Sequence, residues 1–145
     1  MSAIQTERFP YKLMNKYPGM RPKDEIIWDS FVMRYPDMFD YCWYNVPVGD
    51  PSREDFSREE MQRNGAWGVS TWRIDVLAQK GDKYFVIELK PEADTHAIGE
   101  VVAYRGLLMS EGKITSNSLP MVITDSASVI LKQACAAIGV ECWEA

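Results

Sequence analysis

Residues 73–90 read RIDVLAQKGDKYFVIELK, two runs rich in β-branched and aromatic residues around Gly81-Asp82. Gly-Asp is a favoured pair for a two-residue hairpin turn, so strands are expected over 70–79 and 83–90. That turn fixes a register. With Lys80 opposite Lys83, Ala78 faces Phe85, Val76 faces Ile87 and Ile74 faces Leu89, an apolar face that must be buried. The other face pairs Gln79 with Tyr84, Leu77 with Val86, Asp75 with Glu88 and Arg73 with Lys90.

Asp75 and Glu88 are then like charges opposite one another, with Cβ atoms about 4.5–5.5 Å apart, which is destabilising unless something intervenes. In one reading Arg73 and Lys90, diagonally across, complete a solvated charge quartet worth roughly 0–1 kcal/mol per pair. In the other a divalent cation sits between the carboxylates, since Mg²⁺ takes oxygen ligands, often one or two carboxylates with waters and phosphate. Glu88 and Lys90 are two apart on one strand and are expected on one face. The Lys90 ammonium would there reach a metal-held water and position it or steady developing charge.

On either side of the hairpin the elements follow from spacing. The first 22 residues carry Pro10, Pro18 and Pro22 with no sustained period and read as an extended arm suited to docking on a partner or a second copy. Residues 23–34 are expected as a helix, with Asp24, Glu25 and Asp29 early and Ile26, Ile27, Phe31 and Trp28 on its apolar side. Residues 39–48 read as a strand and 49–68 as a polar insertion with a short helix over 57–63. After Pro91 a helix is expected over 94–110, its stripe formed by Ala97, Ile98, Val101, Val102, Leu108 and Met109. A buried strand over 120–124, a helix over 126–138 ended by Gly139 and a strand over 140–143 complete the order.

The run 73–90, followed by AIGEVVAYRGLL at 97–108, resembles the PD-(D/E)xK nuclease superfamily, whose restriction-endonuclease-like fold includes archaeal Holliday junction resolvases and VRR-NUC nucleases. The resemblance spans residues 23–143 by element order and is sharpest over 73–104. It implies an α/β fold with an αβββαβ core, a mixed central sheet flanked by helices, and an added C-terminal helix and short strand. It also implies Mg²⁺- or Mn²⁺-dependent hydrolysis of phosphodiesters in DNA, branched and single-stranded DNA included. Asp75 would be the first acid and Glu88-Leu89-Lys90 the ExK triplet. Several branches carry Gln-x-x-x-Tyr on the following helix; Glu100 and Tyr104 stand at that spacing, with Glu in place of Gln. Glu25, with Asp29 behind it, is the first-helix acid expected as a further metal ligand.

Other residues receive plainer readings. His96 decorates a helix start, and Tyr41, Trp43 and Tyr44 pack within a strand. Trp67 and Trp72 could stack on an unpaired base, a contact worth about 1–3 kcal/mol. Arg53, Arg58 and Arg63 are interspersed with acids, which weakens them as a phosphate-gripping patch. Cys42, Cys135 and Cys142 form no CxxC pair and read as structural.

The 145 residues (16.6 kDa) suit a single domain over 23–145 behind the arm. At 46% hydrophobic and 26% charged, the composition is globular, with about 68–70% of the unfolded surface to be buried at this size. An odd, scattered set of cysteines and an N-terminus without an apolar core point to a reducing cytoplasm, with incorporation in a viral or phage particle as the location that an assembly role would imply. No stretch suits a membrane span. Sixteen basic against 21 acidic side chains give a net charge of -5 and a pI near 4.9, which argues against a protein that coats nucleic acid. The same acidity leaves two rivals to an enzyme open: a nuclease-like domain serving as an assembly component, oligomeric through its arm, and a DNA-binding or regulatory module that does not cut.

Overall fold

The computed structural model describes residues 3–49 and 72–145. The insertion with its short helix, Arg53, Arg58, Arg63 and Trp67 lies outside the described residues. Among the described residues one six-stranded sheet carries the strands in sequence order: β1 (Arg8–Pro10), β2 (Tyr41–Val48), β3 (Trp72–Lys80), β4 (Lys83–Leu89), β5 (Ser118–Thr124) and β6 (Glu141–Glu144). Strands β1 to β4 are antiparallel neighbours, while β5 and β6 run parallel to β4. The sheet is therefore mixed. Helix α1 (Pro22–Arg34) precedes β2, α2 (Thr95–Ser110) joins β4 to β5, and α3 (Val129–Ile138) joins β5 to β6. This is the expected αβββαβ order with its C-terminal helix and strand.

The two faces are filled differently. Met121 and Ile123 of β5 pack with α1, whereas Val122 between them packs with α2 and α3, so α1 covers one face and the other two helices the opposite one. Pro22 opens α1, where its missing N–H costs nothing, and Asp24 and Glu25 complement the helix N-terminus. Ile27, Trp28, Phe31 and Val32 are buried. Ile26, expected beside them, is 71% exposed, because a 100° step per residue carries it off the stripe. Asp94 caps α2 by accepting from the His96 N–H at 3.0 Å, and Ala97, Ile98, Val101 and Leu108 face inward; Val102 is left exposed, so the stripe is narrower than expected. Helix α3 starts at Val129 rather than 126 because Ser128 accepts from the Leu131 N–H at 3.1 Å, and it ends at Gly139 with φ 75°.

The arm lies along its own domain. Phe9 of β1 pairs with Cys42, and Tyr11 and Tyr17 are buried among Trp28, Phe31, Phe39 and Tyr44. Tyr11 Oη donates to the Tyr35 carbonyl at 2.6 Å, and Tyr17 Oη donates to Asp29 Oδ1 at 2.6 Å, so both hydroxyls are satisfied.

Candidate active site

The β3–β4 ladder has the register that the Gly-Asp turn dictates, from Lys80↔Lys83 through Gln79↔Tyr84, Leu77↔Val86 and Ala78↔Phe85 to Val76↔Ile87. Past that pair, side chains take over. Asp75 Oδ2 accepts from the Leu89 N–H at 2.9 Å, and Glu88 Oε1 accepts from the Asp75 N–H at 3.4 Å. The expected Ile74–Leu89 contact on one apolar face is not made: Val76, Ile87 and Leu89 lie under α1, while Ile74 packs with Leu77, Val46, Val48 and Leu108 on the other side of the sheet. The strand changes face at Asp75.

The cause sits on β2. Asn45 has φ 54°, a left-handed conformation that Asn tolerates through its short side chain. The β2–β3 pairing passes from Tyr44↔Val76 to Val46↔Ile74 without an Asn45↔Asp75 pair, and Tyr44 and Val46 also fall on opposite faces. Gly19, at φ 68°, lets the arm close on this kink: a Cβ there would stand 2.4 Å from Asn45 Nδ2. Arm, β2 and β3 thus meet at the residue that aims Asp75.

Glu88 is 8% exposed and Asp75 is half-buried. Burial, then the charge of Asp75, pushes the Glu88 carboxyl far above its ordinary value. Asp75 is also raised, by burial first and further by Asp24 and Glu100, against the lowering pull of the Leu89 N–H and of Glu88. Without a cation such a pair holds a proton between its members. Glu100 Oε2 accepts from Tyr104 Oη at 3.4 Å, and Glu100 Oε1 lies 3.2 Å from His96 Nε2. Burial, then Glu100 and Glu88, pushes the Tyr104 hydroxyl up. Asp75, Glu88, Glu100 and Tyr104 are therefore gathered at one end of the sheet, and His96 joins them through Glu100.

Two expected members stand apart. Lys90 is exposed and pairs with neither Asp75 nor Glu88; its N–H donates to the Ile123 carbonyl at 3.0 Å. Arg73 donates from Nη1 to the Asn45 carbonyl at 3.2 Å, so the solvated charge quartet does not form. Glu25 lies toward Tyr17, whose hydroxyl its charge helps to raise, and Asp29 is engaged by that same hydroxyl. Asp24 is the α1 acid whose charge reaches Asp75, and its own carboxyl is raised by burial against Arg21 and Lys90. Its phase was visible in the sequence, since position 24 leads the buried series 27/28 and 31 by one turn. Beside Glu100, a groove of about 720 Å³ is lined by Trp72, His96, Gly99, Glu100, Ala103 and Tyr104.

As a donor set the site offers hard carboxylate oxygens and no thiolate. Asp75 and Glu88 fit Mg²⁺ or Mn²⁺, which take one or two carboxylates and complete their shells with water. Among the described residues, no group of three or more His, Cys, Asp or Glu side chains converges closely enough to hold a metal ion.

The fold is shared with solved structures. A protein of unknown function, AF1548, superposes with a TM-score of 0.52 at 15% identity over 83% of this chain and 56% of its own. A repair endonuclease from Pyrococcus abyssi superposes with a TM-score of 0.52 at 20% identity over 91% of this chain and 49% of its own. The chain thus spans about half the length of the structures it matches. No protein-family model and no curated protein sequence matches it. These likenesses show the fold alone, a mixed sheet flanked by helices in a restriction-endonuclease-like αβββαβ arrangement, without singling out the resolvase or VRR-NUC branches.

Proposed function

We propose that this nuclease-fold domain hydrolyses phosphodiester bonds in DNA with Mg²⁺ or Mn²⁺ held by Asp75 and Glu88. The observation that carries the reading is the carboxylate pair at the end of the β3–β4 hairpin, both members raised by desolvation and Glu88 further by the charge of Asp75. A packed apolar pair would fill that place at lower cost, so the acids call for a ligand. A divalent cation, when bound, supplies a water of lowered pKa and neutralises charge at the phosphate. With the cation held by the Asp75 and Glu88 carboxylates, Lys90 would orient the nucleophilic water, and Glu100, held by Tyr104, would offer a proton acceptor at the groove edge. The repair-endonuclease likeness supports a DNA substrate. The test is cleavage of supercoiled, linear, single-stranded and four-way-junction DNA with each metal, beside Asp75→Asn. Metal-dependent cutting that falls by roughly 100-fold or more in the variant is expected; cutting unchanged by Asp75→Asn overturns the assignment.

The second reading keeps the fold without the chemistry, as a nucleic-acid-binding or assembly module, in a viral particle for instance. It has the more direct support, because among the described residues no three-acid cluster forms and both carboxylates already accept backbone N–H groups. The acidic balance of the chain agrees with it. Metal-independent DNA retention, or assembly lost when residues 1–22 are removed, without cleavage on any substrate, would establish it.

A further inference from the structure

Trp72 opens β3 three residues before Asp75 and is 56% exposed, an unusual position for the largest apolar side chain. Its ring stands 6.1 Å from that of Tyr104 at 45°, so the two form a continuous aromatic wall along the groove beside Glu100. The rest of the described lining belongs to α2, on which Gly99 and Ala103 are both exposed; a Cβ added at Gly99 would meet nothing within 4 Å. Two glycines, Gly99 and Gly106, interrupt that helix at a cost of about 1 kcal/mol each relative to Ala, and Gly99 lies at the groove itself. The result is an open slot of about 720 Å³ with little side-chain bulk at Gly99 and Ala103, within the range of roughly 300–1,000 Å³ that small-ligand sites occupy.

Charge decides which part of a nucleic acid enters. Among the described residues that line the slot, the one carboxylate, Glu100, is felt by Glu88 and Asp75 behind it, and the one imidazole, His96, is already held at 3.2 Å by Glu100. A phosphate is repelled there; a nucleobase, with a neutral π-face, is not. Only an unpaired base offers that face, because in an intact duplex it is covered by its stacking neighbours.

We infer that the groove between Trp72 and the Gly99–Ala103 face of α2 is a stacking site for one unpaired nucleobase, which directs the domain to single-stranded or unpaired nucleic acid rather than intact duplex. The inference rests on the nucleic-acid reading above and names its substrate class. With the base seated on Trp72, the adjoining backbone lies toward the Asp75–Glu88 pair.

The test measures binding of the full chain, without divalent metal and with Ca²⁺, to fluorescein-labelled 12-mers of dT and rU and to a 12-base-pair blunt duplex. Wild type, Trp72→Ala and Trp72→Phe are compared. Single-strand affinity is expected to exceed duplex affinity, to fall roughly 5- to 150-fold in Trp72→Ala, the range commanded by stacking of one base, and to recover largely in Trp72→Phe. The dT and rU arms separate DNA from RNA as the source of the base. No single-strand binding, duplex binding as tight as single-strand binding, or a Trp72→Ala affinity equal to wild type overturns the inference. Trp72-dependent binding without cleavage under any metal leaves it standing and removes the hydrolytic reading; cleavage of intact duplex that ignores Trp72 does the reverse.

Discussion

The two ends of the β3–β4 hairpin each carry an aspartate that accepts a backbone N–H, and the two behave oppositely. At the turn, Asp40 Oδ2 accepts from Gly81 N–H at 2.8 Å and Oδ1 from Lys80 Nζ at 3.3 Å; in open solvent those partners hold its carboxyl below the usual range. At the far end, Asp75 accepts from Leu89 N–H at 2.9 Å, yet its carboxyl is raised. The hydrogen bonds are alike. What differs is that Asp75 has lost its water and feels the charges of Asp24 and Glu100 instead of a lysine. The N–H lowers the carboxyl's proton affinity at both ends, and at Asp75 the loss of water outweighs it.

The contrast can be broken most forcefully through activity, since Asp75→Asn keeps the shape of the far end and removes its charge. The cleavage loss expected above has no counterpart at the turn, where Asp40→Asn leaves cutting intact.

Next in size is the kink that turns Asp75. Asn45→Val forces a β-branched residue into the left-handed region and should destabilise the domain by roughly 1–3 kcal/mol, while Asn45→Gly, free to adopt φ 54°, should cost much less. Urea unfolding gives the stabilities, and amide exchange at Leu89 reports the bond to Asp75 directly. Equal effects of Val and Gly would mean that the Asn45 side chain, rather than its backbone, holds the site.

The pH dependence of stability separates the two ends by sign. Glu88 is raised in the folded protein above its ordinary value of 4.5, so the folded state binds the extra proton. Its contribution is complete below about that value and is lost as pH climbs toward the raised folded-state value. Asp40 is lowered, so its contribution is present above the ordinary value of 3.8 and is lost as pH falls through its depressed one. Metal-free Glu88→Gln should therefore gain stability over wild type as pH rises from 5 to 8 on a thermal-melt series; parallel curves would show that Glu88 carries no extra proton. The smallest effect belongs to Asp40→Asn at neutral pH, a small drop in melting temperature, as expected of a solvated pair screened by salt.

Much of this was legible beforehand. The Gly81-Asp82 turn leaves one two-residue register, and five consecutive pairs follow it because a buried apolar face tolerates no slip. The helix spacing of Glu100 and Tyr104 sufficed to bring their side chains together. The first-helix acid whose charge reaches Asp75 is Asp24, one residue before Glu25, and its phase with Ile27, Trp28 and Phe31 is written in the sequence. The arm's prolines disguised a short edge strand, whose partner β2 lies some 30 residues further along the chain.

The sequence by itself determined the order of elements, the hairpin register and the presence of two acids across one hairpin, because these depend on local spacing and turn chemistry. Only the tertiary structure decided where those acids point and what surrounds them. Strict alternation would have kept Ile74 on the face of Val76; the left-handed Asn45, closed over by Gly19 from the arm, turns the strand between them. No local pattern encodes that turn, because it arises where three segments distant in sequence come into contact.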